Sequence, residues 1–134
     1  MKSAKKGLPI FFTVIIALTL LEAATAIASR NLNFNYSYLS PIVFLIYTLT
    51  AYLIAKRTDR KTAIMYAALV GLFDATVGWS VSMLFGANVG ESGVEVTAAI
   101  WVVTALFVVL IASLFGLLGA WLATKTYKIK STNR

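Results

Sequence analysis

The stretch TAIMYAALVGLFDATVGWSVSMLF, residues 62–85, combines a membrane-length apolar run with one acidic residue, Asp74, near its middle. A helix that crosses a bilayer needs about 20 mostly apolar residues, and this stretch has that length and composition. Insertion scales put the cost of an aspartate at the centre of such a helix at roughly 3 kcal/mol. The stretch therefore predicts a membrane helix and raises the question of what retains its carboxyl group.

Three further apolar segments lie at residues 8–29, 40–55 and 96–124. The 134-residue chain is 60% hydrophobic, has a mean hydropathy of +0.84 and is only 13% charged, whereas soluble domains carry about 25% charged residues. A soluble core of this size does not bury so much apolar surface, but a bilayer accommodates it. We expect an all-α membrane protein with a single domain, residues 1–134, built as a bundle of four transmembrane helices.

Short signals at the segment ends support these boundaries. Pro9 fits the first turn of the first helix, and Ser40 followed by proline fits an N-cap and first helical position. Asp59, or the threonine before it, is a suitable N-cap for the third helix, and Gly86 is suited to close it.

The basic residues predict the orientation in the membrane. Eleven of the twelve lysines and arginines lie before the first segment, between the second and third, or after the fourth, and only Arg30 lies elsewhere. Because positive charge marks cytoplasmic loops, both termini are predicted to be cytoplasmic. Aromatic residues fall near both boundaries, as an interfacial belt would: Tyr36, Tyr38 and Trp101 on the outer side, and Tyr66, Trp121 and Tyr127 on the inner side. We expect a multi-pass protein of the cell (plasma) membrane, specifically a bacterial inner membrane.

An alternative interpretation concerns the first segment. Its lysine-rich start, apolar stretch and Ala26-Ile27-Ala28 triplet also fit a secretory signal peptide covering residues 1–28. Cleavage would leave three helices in the same orientation and would remove Glu22. The mass of the purified protein distinguishes the two forms.

Composition also limits the chemistry. The chain has no histidine and no cysteine, which argues against disulfides, zinc sites of the usual kind and histidine- or thiol-based catalysis. We therefore expect no enzymatic activity, no catalytic residues, no metal site and no cofactor. The net charge of +7 sits in loops beside apolar spans, so it is interpreted as a topology signal. The expected partner is the lipid bilayer, with no nucleic acid.

Glu22 and Asp74 are the only acids inside the predicted spans, which contain no basic partner for them. Glu22 lies fourteen residues after Leu8, and Asp74 lies twelve after Thr62. At about 1.5 Å per residue, their depths differ by only about 3 Å. We therefore predict that the two side chains meet inside the bundle and that at least one is protonated, because like charges close together do not both ionise cheaply.

Small or polar residues recur at helical spacing on three of the predicted helices, the first, third and fourth. Such residues normally mark helix contacts, since they let backbones approach closely. The predicted packing positions are Gly71, Gly78, Gly116, Gly119 and Ala120.

Two classes of function remain open. The first is an accessory or structural membrane component, with a homo-oligomer or another membrane protein as a partner and with the acids serving only as contacts between helices. The second is a small proton- or cation-coupled transporter or channel subunit that uses Glu22 and Asp74, since ionisable residues within membrane helices commonly mark ion pathways.

Overall fold

The computed structural model describes residues 2–90 and 97–132, and the side chains of residues 5–90 and 97–126. These residues form helices and short connections, with no strand among them. Four helical segments are long and apolar enough to cross a membrane. The helices are α1 (Lys2–Leu32), α2 (Ser40–Ala55), α3 (Arg60–Leu84) and α4 (Ala98–Thr132).

The structure extends α1 and α4 beyond their predicted bounds. α1 continues on both sides of residues 8–29, and α4 continues past residue 124, because lysine and other polar residues with adequate helix propensity prolong the apolar runs. Pro9 consequently lies inside α1 and not in its first turn, where its missing N–H leaves one carbonyl of the preceding turn without the usual helical bond. The predicted start of the fourth helix, residue 96, lies outside the described residues.

The second segment gains length from a 3-10 turn, Tyr36–Leu39, which leads directly into α2. Together they form a helical segment of 20 residues, Tyr36–Ala55. Ser40 is therefore not an N-cap, because helical backbone already precedes it. The cap belongs instead to Asn35, whose side-chain oxygen accepts a hydrogen bond from the Ser37 amide at 2.9 Å.

The ends of α3 are closed by Asp59 and Gly86. The carboxyl group of Asp59 accepts hydrogen bonds from the amide of Thr62 at 2.8 Å and from its hydroxyl at 2.7 Å, which satisfies an otherwise free amide of the first turn. Gly86 follows the last turn with a φ of 70°, the left-handed conformation in which glycine commonly terminates helices.

The helices α2 and α3 form a central antiparallel pair, with α1 packed on one side of it and α4 on the other. We call the end of the bundle that holds both termini and the 56–59 connection the proximal end. The opposite end, with residues 33–39 and 85–90, is the distal end.

Glycine and alanine allow α4 to approach the central pair closely. A Cβ at Gly116 would lie 2.6 Å from the Cβ of Ala67, and one at Gly119 would overlap the backbone carbonyl of Thr48. Ala120 is fully buried in the same region. These contacts bring the α4 backbone against both central helices, as small residues do in membrane bundles.

Two lysines stack on aromatic rings at the proximal end. The Lys56 ammonium lies 4.3 Å from the Tyr52 ring centre, and the Lys125 ammonium lies 4.0 Å from the ring of Trp121. Aromatic rings and lysines commonly occur together at the level of lipid headgroups. The four helices together present a broad apolar surface, with leucine, valine and phenylalanine side chains of α4 more than half exposed.

Candidate functional site

The carboxyl groups of Glu22 and Asp74 lie side by side at one depth in the bundle. Glu22 precedes the distal end of α1, Leu32, by ten residues, and Asp74 precedes the distal end of α3, Leu84, by the same number. Both therefore lie about 15 Å from the distal helix ends. Because α1 packs against α3, two side chains at the same depth on the facing sides of these helices are in contact.

Glu22 is enclosed by the packing of α1 on α3. Its side chain is only 1% exposed. Gly78 provides the space, since a Cβ at that position would overlap the Glu22 carboxyl oxygens. Among the described residues, the Oε2 atom of Glu22 is a buried polar atom without a hydrogen-bond partner, a state that costs free energy unless something binds there.

Asp74 connects three helices. It accepts a hydrogen bond from the hydroxyl of Tyr47, on α2, and is also within hydrogen-bonding range of the Glu22 carboxyl, on α1. An ionised carboxylate only accepts hydrogen bonds. A hydrogen bond between the two carboxyl groups would therefore require a proton on one of them.

Two hydroxyl groups lie on the distal side of the acid pair. The side chain of Tyr36 is half-buried and within hydrogen-bonding range of Ser82. The Ser82 hydroxyl donates to the carbonyl of Trp79 at 2.8 Å. Tyr36 and Ser82 thus extend the polar cluster from the carboxyl pair toward the distal end.

The α3 backbone changes its winding where the acid lies. Residues Asp74–Gly78 form a π-helical turn inside α3. Such turns occur mostly as single insertions in α-helices and are frequent at functional sites. The carbonyl of Ala75, within this turn, accepts a hydrogen bond from the indole nitrogen of Trp101 at 3.0 Å. The Trp101 ring also meets the Trp79 ring edge-to-face, with centres 5.8 Å apart, so α4 supports the altered turn.

Two cavities adjoin the acid pair. The first, which we call the acid cavity, has a volume of about 230 Å³ and is lined by Glu22, Asp74, Gly78 and Ser82, among others. The second, the aromatic cavity, has a volume of about 350 Å³ and extends between α2 and α4 from Ser37 and Ser40 down to Asp74. Asp74 and Tyr36 line both, so the carboxyl of Asp74 lies where the two cavities meet.

The distal connections are tied together above the site by Asn88. Its backbone carbonyl accepts from the amide of Tyr36 at 2.8 Å, and its own amide donates to the Ser29 hydroxyl at 3.1 Å. Its side-chain amide donates to the side chain of Asn33 at 3.0 Å. One residue of the second distal connection thereby holds the end of α1 and the start of the 3-10 turn.

The structure thus brings together the two acids that the sequence indicates as candidate site residues, and it places Gly71 and Gly78 on the buried face of α3. Sequence reasoning missed Tyr47 and assigned Tyr36 to an interfacial belt. Depth alone provides a signal for Tyr47, which lies seven residues into α2, about 5 Å from the level of the acids at 1.5 Å per residue.

Within the described residues, no group of three acidic, histidine or cysteine side chains is placed to hold a metal ion. Comparison of the chain with protein-family models, with curated proteins and with solved structures finds no match.

Proposed function

We propose that this chain is a multi-pass protein of a cell membrane, specifically a bacterial inner membrane, with both termini in the cytoplasm. The proposal is supported by the four membrane-length apolar helices and by eleven of twelve basic residues in segments that meet at the proximal end. Positive charge of this distribution favours retention on the cytoplasmic side. In this orientation the aromatic cavity and the Asn88 contacts face the outer side.

Within the membrane, the proposed activity is that of a small proton-coupled carrier or channel subunit. The observation that carries this proposal is the contact between Glu22 and Asp74 at the junction of two cavities. A carboxyl pair that shares one proton binds or releases it with little rearrangement, and the cavities provide room for water or a cation beside it. Intramembrane acids facing a cavity are the usual form of proton sites in transporters.

A second candidate is an accessory or structural membrane component, possessing no transport activity, that contacts a second copy or another membrane protein. The specific observation in its favour is that the polar cluster joins α1, α2 and α3 through Glu22, Asp74 and Tyr47. Hydrogen bonds between membrane helices stabilise packing by about 0.6 kcal/mol each on average. In that role both carboxyl groups stay protonated and neutral, and neither exchanges its proton.

The topology is tested with reporter fusions. A reporter that is active only in the cytoplasm should be active when it is fused after Arg134. A reporter that is active only outside the cytoplasm should be active when it is inserted at Asn88. A mixed population at either site contradicts the proposed orientation. Because Asn88 holds the distal connections together, the insertion needs a flanking site at Gly90 as a control for disturbed packing.

The two candidate functions are separated by the protonation of the pair. We expect an infrared carbonyl band of a protonated carboxyl group in the wild type that weakens as the pH is raised and returns on acidification. Asp74→Asn and Glu22→Gln should each alter or remove this band, whereas Asp59→Asn, which changes an acid at the proximal end, should leave it intact. A band that persists across the whole pH range contradicts the carrier and supports the structural role.

A further inference from the structure

The aromatic cavity has features that the carrier proposal does not use. Four aromatic side chains line it, from three different parts of the chain: Tyr36, Phe44, Tyr47 and Phe107. Of its eight other lining residues, four are aliphatic, and the other four are Asp74 and three residues with hydroxyl groups, Ser37, Ser40 and Thr104. Its volume of about 350 Å³ is at the small end of the range of about 300–1,000 Å³ for small-molecule sites.

Two of these rings, Phe44 and Tyr47, are held in place by contacts with other rings and with the acid. Phe44 stacks on Phe115 with ring centres 4.9 Å apart and lies 6.4 Å from the Tyr47 ring. Tyr47 is fixed in turn by its hydroxyl, which donates to Asp74. The cavity therefore has an ordered aromatic wall next to its acidic group.

We propose that the aromatic cavity binds a small organic cation, of the amine or quaternary ammonium class, with its charged group at Asp74. This inference rests on the proposed proton site and specifies what exchanges with the proton. Aromatic faces attract cations through their quadrupole, and the attraction is stronger when the ring and the cation are desolvated. The aliphatic lining suits the apolar part of the same molecule.

The charges of the exchange balance. Before binding, the carboxyl pair holds one proton between Glu22 and Asp74. When the cation enters, that proton leaves to water, both carboxyl groups are ionised, and the bound cation replaces the lost positive charge. No covalent bond other than the O–H bond changes. One proton is released for each cation bound, and the acids' shared proton and the ligand compete for the same carboxyl group.

A metal cation fits the cavity less well. Hard cations such as Ca²⁺ take six or more oxygen ligands, whereas the described lining of the aromatic cavity offers one carboxyl group, a few hydroxyls and mostly carbon. An uncharged apolar molecule, such as a lipid chain, would fit the walls but would leave the buried carboxyl pair without a role. The combination of rings and acid favours an organic cation over both.

The proposal is tested by titrating benzyltrimethylammonium into the full-length protein in detergent, using calorimetry. Repeating the titration in buffers of different ionisation enthalpy gives the number of protons released. We expect saturable binding with release of about one proton per cation, weakening as the pH is lowered because protons compete for the pair. Benzyl alcohol, an uncharged aromatic control, should bind at least about tenfold more weakly.

Three variants locate the site. Asp74→Asn should reduce affinity by about tenfold or more and abolish proton release. Phe107→Leu removes one aromatic wall at a position already 62% exposed, where folding should be unaffected, and should weaken binding by about threefold. Asp59→Asn removes an acid away from the cavity and should bind as the wild type does.

The outcomes also separate this inference from the proton site itself. Equal binding of benzyl alcohol, unchanged binding by Phe107→Leu, or no binding at all would overturn the organic-cation site. If no cation binds but the infrared band still titrates with pH, the proposal of a proton-binding carboxyl pair is supported and only the organic-cation site is overturned. If the band does not titrate and binding releases no proton, both proposals are wrong.

Discussion

The proximal half of the bundle is packed with small apolar residues, whereas the distal half contains carboxyls, hydroxyls and cavities. Proximal contacts involve a buried cluster of alanine, isoleucine and tyrosine: Ala51, Ile54, Ala63, Tyr66, Ala67 and Ala120. At and beyond the level of Asp74 the same helices contribute Glu22, Tyr36, Tyr47 and Ser82 to a polar cluster. One set of helices thus combines close apolar packing at one end with an irregular polar interior at the other.

The difference shows how the distal half tolerates its irregularity. A π-helical turn and a buried, unpartnered carboxyl oxygen both cost free energy. The close approach of α4 at Gly116 and Gly119 contributes packing that offsets such costs. If this division is correct, substitutions in the proximal half should lower the free energy of unfolding most. Substitutions in the distal half should alter the protonation of the carboxyl pair with a smaller loss of stability.

The largest effect is expected from Gly116→Leu in the proximal half. Because a Cβ there already lies 2.6 Å from Ala67, a leucine side chain should force α4 away and lower the free energy of unfolding by about 3 kcal/mol. Unfolding in mixed detergent micelles measures this. The control, Leu114→Phe, enlarges a side chain that is more than half exposed and should have little effect. Wild-type stability for Gly116→Leu would remove the proposed contrast between the halves.

An intermediate effect is expected from Gly78→Ala in the distal half. The new Cβ would overlap the Glu22 carboxyl, which must move away from Asp74 at a cost of about 2 kcal/mol. The infrared band of the protonated pair should shift as well, because its hydrogen bond changes. Ser80→Ala, at an exposed position of the same helix, is the matched control. Loss of stability without a band shift would mean that Gly78 serves packing alone.

The smallest effect is expected from Trp101→Phe. This change removes the indole donor to the Ala75 carbonyl but keeps an aromatic ring against Trp79, and should cost about 1 kcal/mol. Hydrogen exchange should increase locally at the π-helical turn. Trp121→Phe, whose ring lies under Lys125 at the proximal end, should leave that turn unchanged. Equal protection in both variants would show that α4 does not support the turn.

Much of the architecture follows from hydropathy, and the rest depends on tertiary contacts. The four apolar helices and the shared depth of Glu22 and Asp74 are predictable, because the hydrophobic pattern of a segment and the helical rise per residue are local properties of the chain. The π-helical turn at Asp74–Gly78 is not, since its carbonyl contact comes from another helix, through the indole of Trp101.

Two tyrosines show most clearly what the sequence does not predict. Tyr36 and Tyr38 both lie in the short 3-10 turn, yet Tyr36 is half-buried beside Ser82 while Tyr38 is 72% exposed. An amphipathic side chain fits an interface or a polar interior equally well by composition. The turn that directs Tyr36 inward is set by Asn35 and Asn88, which hydropathy does not detect.

The contact between Glu22 and Asp74 also has a consequence while the chain is being synthesised. The two residues are separated by 52 positions in the chain, so at about 5–20 residues per second the ribosome takes about 3–10 seconds to reach the second after the first. During that interval α1 holds the carboxyl group of Glu22, whose partner on α3, Asp74, does not yet exist. In the proposed membrane topology, the long apolar run of α1 therefore has to keep the helix in the bilayer unaided, which makes the leucine and isoleucine content of α1 a requirement of biogenesis as well as of the finished bundle.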